Sequence, residues 1–120
     1  MHRDLKSSNI FLTRRGFVKL GDFGIARVLG GTRDKARSIV GTPLYLAPEI
    51  LKQQPYNFKS DIWALGTLLY EMAALRPPWQ NRDLTELGVS ICNSKYPPLP
   101  ETYSYPLKNV VQMCLMKNPS

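Results

Sequence analysis

The run from Ile62 to Leu75 is the most apolar stretch of this 120-residue chain. Ile62, Trp63, Leu65, Leu68, Leu69, Met72 and Leu75 fall nearly all round a 3.6-residue period, the pattern of a helix buried at the centre of a fold. Met72 and Leu68 are both expected in the core. Glu71 interrupts the run, and its length is short of a bilayer, so a membrane span is excluded. Ser60 stands just ahead with the chemistry of an N-cap. The rest of the chain must therefore supply surfaces that cover this helix. A hydrophobic content of 43% with 21% charged residues is enough for one ordinary core, and it excludes collagen-like, coiled-coil and disulfide-framework chains.

Around the helix, the pattern gives mostly helical structure with one small hairpin. Ile10 to Leu12 and Phe17 to Leu20 read as short strands joined by the polar link Thr13-Arg14-Arg15-Gly16. Residues 21–49 carry five glycines and two prolines without a period, and read as a long functional loop. A helix is expected over Leu84 to Ile91, starting near Asp83. Tyr96 to Pro100 is a stiff extended link. Leu107, Val110, Val111, Cys114 and Leu115 form the stripe of an amphipathic helix with Pro106 in its first turn.

Three short motifs punctuate this layout. His2-Arg3-Asp4-Leu5-Lys6-Ser7-Ser8-Asn9 matches the H-R-D-L-x-x-x-N pattern, Asp22-Phe23-Gly24 follows the hairpin, and Ala47-Pro48-Glu49 closes the long loop. Gly41-Thr42-Pro43 precedes the last of these, and Asp61-Ile62-Trp63-Ala64-Leu65-Gly66 matches D-x-W-x-x-G. Each alone is weak; in this order and spacing they are specific. The chain resembles the C-terminal lobe of eukaryotic protein kinases. Leu20 to Leu29, Pro55 to Gly66 and Lys117-Asn118-Pro119 are similar to NIMA-related serine/threonine kinases in particular.

The resemblance implies an α+β fold, a partial kinase domain over residues 1–120 with its N-terminal lobe absent. Catalytic loop 2–9, activation segment 22–49 and C-lobe helices 60–120 are its expected parts. It implies serine/threonine phosphoryl transfer from ATP with Mg²⁺. Such a reaction needs positioning and charge screening more than covalent help. Asp4 would meet the substrate hydroxyl, Lys6 the γ-phosphate, and Asn9 and Asp22 the metal ion. One of Ile10, Phe11 and Leu12, taken as Phe11, would line the adenine site, and Thr42 would mark Ser/Thr specificity. His2 would be structural, packing under Phe23. Asp61 would be a buried carboxylate bonding the catalytic-loop backbone. Glu49 would be a buried or half-buried carboxylate, its usual arginine partner falling past Ser120.

Charge bears on partners. Residues 1–37 hold nine basic and three acidic groups, a net of +6, against +1 for residues 38–120. Arg3, Arg27 and Arg37 around the long loop would receive an activating phosphate on Ser38, with Thr32 as a lesser site, added by an upstream kinase or by autophosphorylation. Arg14, Arg15, Arg33 and Lys35 could instead form a nucleic-acid patch, but without interleaved aromatics this reading ranks far behind. Expected partners are proteins with Ser/Thr acceptors, without nucleic acid or membrane. Cys92 and Cys114 lack metal or redox spacing, and no signal peptide is read, which favours the cytoplasm, with cytoskeletal or nuclear association open.

No glycine-rich phosphate loop or strand lysine occurs in the chain. A non-catalytic docking or decoy module is therefore the alternative to an active kinase. The 120 residues by themselves are expected to bind Mg·ATP poorly and to leave casein unphosphorylated; appreciable transfer by the purified chain, lost on Asp22→Ala, would overturn this.

Overall fold

Asn57 starts the central helix, and it does so with its own side chain. Asn57 Oδ1 accepts the Lys59 N–H at 2.7 Å, and Ser60 Oγ accepts the Asn57 N–H in return, a reciprocal capping box. The helix therefore begins three residues earlier than Ser60 suggests, because Ser60 is the far partner of the box. In this computed structural model, residues 1–21 and 43–118 are described. Strands β1 (Ile10–Leu12) and β2 (Val18–Leu20) pair antiparallel, with Phe11 opposite Lys19. Helices α1 (Pro48–Leu51), α2 (Phe58–Ala74), α3 (Leu84–Asn93) and α4 (Tyr105–Cys114) follow. Among the described residues none of these helices is long and apolar enough to cross a membrane.

Local chemistry accounts for the element ends. The hairpin closes on Gly16, whose φ of 82° is the left-handed conformation that glycine adopts without strain. The Thr13 N–H bonds Phe17 O at 2.9 Å, and the Gly16 N–H bonds Thr13 O at 2.9 Å, completing the turn. Pro48 opens α1, so the last two residues of the expected long loop are helical. Asp83 caps α3 by accepting the N–H groups of Thr85 and Glu86. Leu75 ends α2 in a left-handed turn, and Pro77 and Pro78 prevent continuation.

The core gathers Trp63, Leu68 and Tyr70 of α2 with Trp79, Leu87, Ile91, Leu99, Val111 and Leu115. The centre of α2 is thus buried, but not all round. Ile62, Leu65 and Met72 form an exposed stripe; Met72 is 60% exposed and Leu75 90%. Nine residues separate Met72 from buried Trp63, half a turn round the helix at 3.6 residues per turn, so the two face opposite ways. Met72 is not core, although its apolar chemistry suggested so. Val110 is likewise exposed beside buried Val111, which narrows the expected stripe of α4. Both cysteines are free, and burial raises the Cys114 thiol above its ordinary range.

Two contacts hold the helical body together. Trp63 and Trp79 stack with centroids 5.4 Å apart and rings 7° from parallel. The Lys117 ammonium lies 4.0 Å from the Trp79 centroid and donates to the Ile91 carbonyl. Burial draws the Lys117 ammonium down to about 8, while the two indole faces favour its charged form. The second contact is the approach of α2 to α4 at Gly66, where a Cβ would stand 2.5 Å from Cys114 Cβ. Gly66→Ala gains about 1 kcal/mol of helix propensity but meets an overpacking cost of about 1–3 kcal/mol. It is therefore expected to lower the denaturation midpoint in urea, and Cys114→Gly in the same chain should restore it.

Candidate active site

The first nine residues contain no strand or α-helix, so their shape depends on side-chain bonds. Asp61, in the first turn of α2, accepts the His2 N–H on Oδ2 at 2.8 Å and the Arg3 N–H on Oδ1 at 2.9 Å. Immediately after these donors the chain turns through a left-handed Arg3, φ 72°, a conformation that non-glycine residues adopt only when held. The Tyr56 hydroxyl also donates to Asp61 Oδ1. Burial would raise the Asp61 carboxyl, but the bonds from Tyr56, Arg3 and His2 outweigh it and hold the group below the usual carboxylate range. The expected bonding of Asp61 to the backbone of residues 2 and 3 is thus present, with the residue half-buried rather than buried because it sits at the edge of the helical body.

His2 is buried and fastens the loop to the hairpin. Its Nδ1 accepts the Asp4 N–H at 3.1 Å, which leaves the ring proton on Nε2 to be donated to the Gly21 carbonyl at 2.8 Å. The Gly21 N–H in turn bonds Asn9 O at 2.8 Å, so both ends of the hairpin meet the loop. Its expected neighbour Phe23 lies outside the described residues.

Asp4, Lys6 and Asn9 converge. Asn9, only 4% exposed, turns its amide nitrogen to Asp4, donating to the backbone oxygen at 2.7 Å and to Oδ2 at 3.1 Å. Lys6 Nζ stands 3.6 Å from Asp4 Oδ1, with both side chains nearly half exposed. Such an open pair adds little stability, so its value lies in placing a cation beside a carboxylate. With its nitrogen committed to Asp4, Asn9 retains Oδ1 as a neutral oxygen donor, the type that a hard divalent cation takes. Among the described residues no three His, Cys, Asp or Glu groups converge.

Phe11, on β1, is half-exposed and lays its ring edge over Gly21, where a Cβ would come within 2.4 Å of the ring. Asp22, Thr32, Ser38 and Thr42 lie outside the described residues, as do Arg27 and Arg37. Glu49 is 7% exposed and accepts the Ser60 hydroxyl at 2.8 Å, so it is buried as expected, yet it has a donor within the chain.

Two tyrosines, Tyr56 on Asp61 and Tyr45 on Glu71, were not foreseen. Tyr45 donates its hydroxyl to Glu71 on α2 and bonds Ser7, accepting its N–H at 3.4 Å with the two hydroxyls 3.1 Å apart. Burial and then the bond to Glu71 raise the Tyr45 phenol. The only local sign of this strap was an acid inside the apolar run of α2.

The protein kinase domain family matches residues 1–120. The chain belongs to that family. It is 49% identical over 119 residues to mouse serine/threonine-protein kinase Nek1 and 50% over 120 residues to mouse Nek3. It is 45% identical over 119 residues to the G2-specific protein kinase nimA of Emericella nidulans. These alignments take in 99%, 100% and 99% of this chain but only 10%, 24% and 17% of those relatives. The chain thus spans a quarter or less of the length of these curated relatives, and its similarity to them extends, as expected, along essentially its whole length.

Removal of the Tyr45 hydroxyl separates Ser7 from Glu71. Tyr45→Phe is expected to cost about 0.5–1.5 kcal/mol of unfolding free energy, the net worth of one hydrogen bond, because the half-buried Glu71 can turn to water instead. Glu71→Gln, which still accepts, should cost less; urea titration of both variants checks the order.

Proposed function

We propose that this chain is part of the C-terminal lobe of a serine/threonine protein kinase and carries its catalytic loop. The observation that supports it most is the convergence of Asp4, Lys6 and Asn9 in one loop anchored on Asp61, within a chain matched along its length by the kinase family. Hairpin, loop and helical body make up the expected α+β arrangement, with residues 22–49 as the activation segment.

The acceptor is a Ser or Thr hydroxyl of a protein, and the donor is ATP. The hydroxyl oxygen forms a bond to the γ-phosphorus while the bond to the ADP oxygen breaks, and the hydroxyl proton passes to Asp4. The Asp4 carboxylate is suited to this because Asn9 fixes Oδ2, setting the direction of Oδ1. Lys6, beside Oδ1, offers its ammonium to the transferred phosphoryl oxygens. Asn9 Oδ1 and Asp22 would hold Mg²⁺, which when bound neutralises charge on the phosphate oxygens. Phe11 offers an apolar edge to adenine, and Thr42, which lies outside the described residues, would mark Ser/Thr specificity. Phosphate on Ser38 would pair with Arg3, the residue whose backbone Asp61 already holds. A cytoplasmic site of action fits the free cysteines.

In the full-length protein, Asp4→Asn should lower transfer from ATP to a serine peptide by about a hundredfold or more. Ser38→Ala should sharply reduce the rate while leaving residual activity. Radiolabelled phosphate incorporation measures both; an Asp4→Asn protein at the wild-type rate rejects the proposed chemistry.

A further inference from the structure

Tyr56 sits between α1 and α2, at a position to which the motif pattern assigns no chemistry. Its hydroxyl donates to Asp61 Oδ1, the same oxygen that receives the Arg3 N–H. Its ring also stands 5.9 Å from the Arg3 guanidinium carbon. One side chain therefore touches both the anchor of the Arg3 backbone and the Arg3 side chain itself. Burial, and then the bond to Asp61, raise the phenol far above its ordinary range, so Tyr56 remains a donor throughout the physiological span.

The geometry makes this more than packing. Two backbone donors, His2 and Arg3, approach Asp61 from the loop, and both belong to the segment that has to be held. A carboxylate bonded only to that segment could swing with it. Tyr56 approaches from the helical side and supplies a third bond that does not move with the loop. The left-handed turn at Arg3, immediately before Asp4, is thereby fixed from two directions.

We infer that Tyr56 is a positioning residue for phosphoryl transfer, holding Asp61 and Arg3 in the arrangement from which Asp4 is presented to substrate. The inference rests on the function proposed above. Tyr56 acts through Asp61 and touches no reacting atom. Among the described residues, the groups that face Asp61 are His2, Arg3 and Tyr56.

The test uses the full-length protein with Tyr56→Phe, which keeps the ring and removes the hydroxyl, and Tyr56→Leu, which removes both. Tyr56→Phe should lower kcat about tenfold, the size of one hydrogen bond to a charged group, with KM for ATP unchanged. Tyr56→Leu should lower it further. In carboxyl-labelled protein, assigned with Asp61→Asn, the NMR titration of Asp61 should move upward in Tyr56→Phe. If that variant is too unstable to study, 3-fluorotyrosine at position 56, a stronger donor of the same shape, should move the titration downward. An Asp61 titration indifferent to these changes, or a kcat equal to wild type in Tyr56→Phe, overturns the inference. Absence of transfer by the wild type itself rejects the proposed function and the catalytic half of this inference, and the Asp61 titration still decides whether Tyr56 holds the carboxylate.

Discussion

Asp61 lies in the first turn of a helix, yet the bonds its carboxylate makes lie mostly outside that helix. It takes two N–H groups from a loop about sixty residues earlier, and those bonds hold a left-handed arginine. A charged acceptor in a half-buried setting bonds more strongly than a neutral one. The cost of the Arg3 conformation, of order 1–3 kcal/mol, is therefore offset where it arises. Asp4, Lys6 and Asn9 follow within six residues, so their placement descends from that one turn.

Helix α2 acts as a rack for segments that have little regular structure of their own. Ser60 holds Glu49 at the end of the loop, Asp61 holds residues 2 and 3, Gly66 admits α4, and Glu71 holds Tyr45 and through it Ser7. Each attachment uses a different face or end of the helix. This explains why a helix with a buried centre carries two acids and a glycine, residues that a purely structural core helix would avoid.

Features written in contiguous residues were legible from the sequence. The Thr13 to Gly16 turn, the Asp83 cap and Pro106 at the start of α4 each express a local backbone requirement, and the structure has all three elements. The resemblance carried by the ordered motifs likewise implied the bonding of Asp61 to the backbone of residues 2 and 3. Pairings across distance left no such trace. Tyr45 and Glu71 are 26 residues apart, and nothing near either names the other. Ser60 was misread as a cap because both members of a capping box have cap-forming side chains. Met72 was misread because hydrophobic chemistry tells which residues can be buried, while the neighbours available to a helix decide which are.

The paired indoles have a consequence for how this chain can be observed. Trp63 and Trp79 are its only tryptophans, and they lie face to face with an ammonium resting on one of them. Light absorbed at the red edge of the aromatic band is thus taken up at a single junction, where α2, the segment after it and the end of α3 meet. Coupling between parallel rings gives that junction a near-ultraviolet dichroic signature of its own. The emission of this chain is a gauge of one seam in the helical body, and it is read without any label.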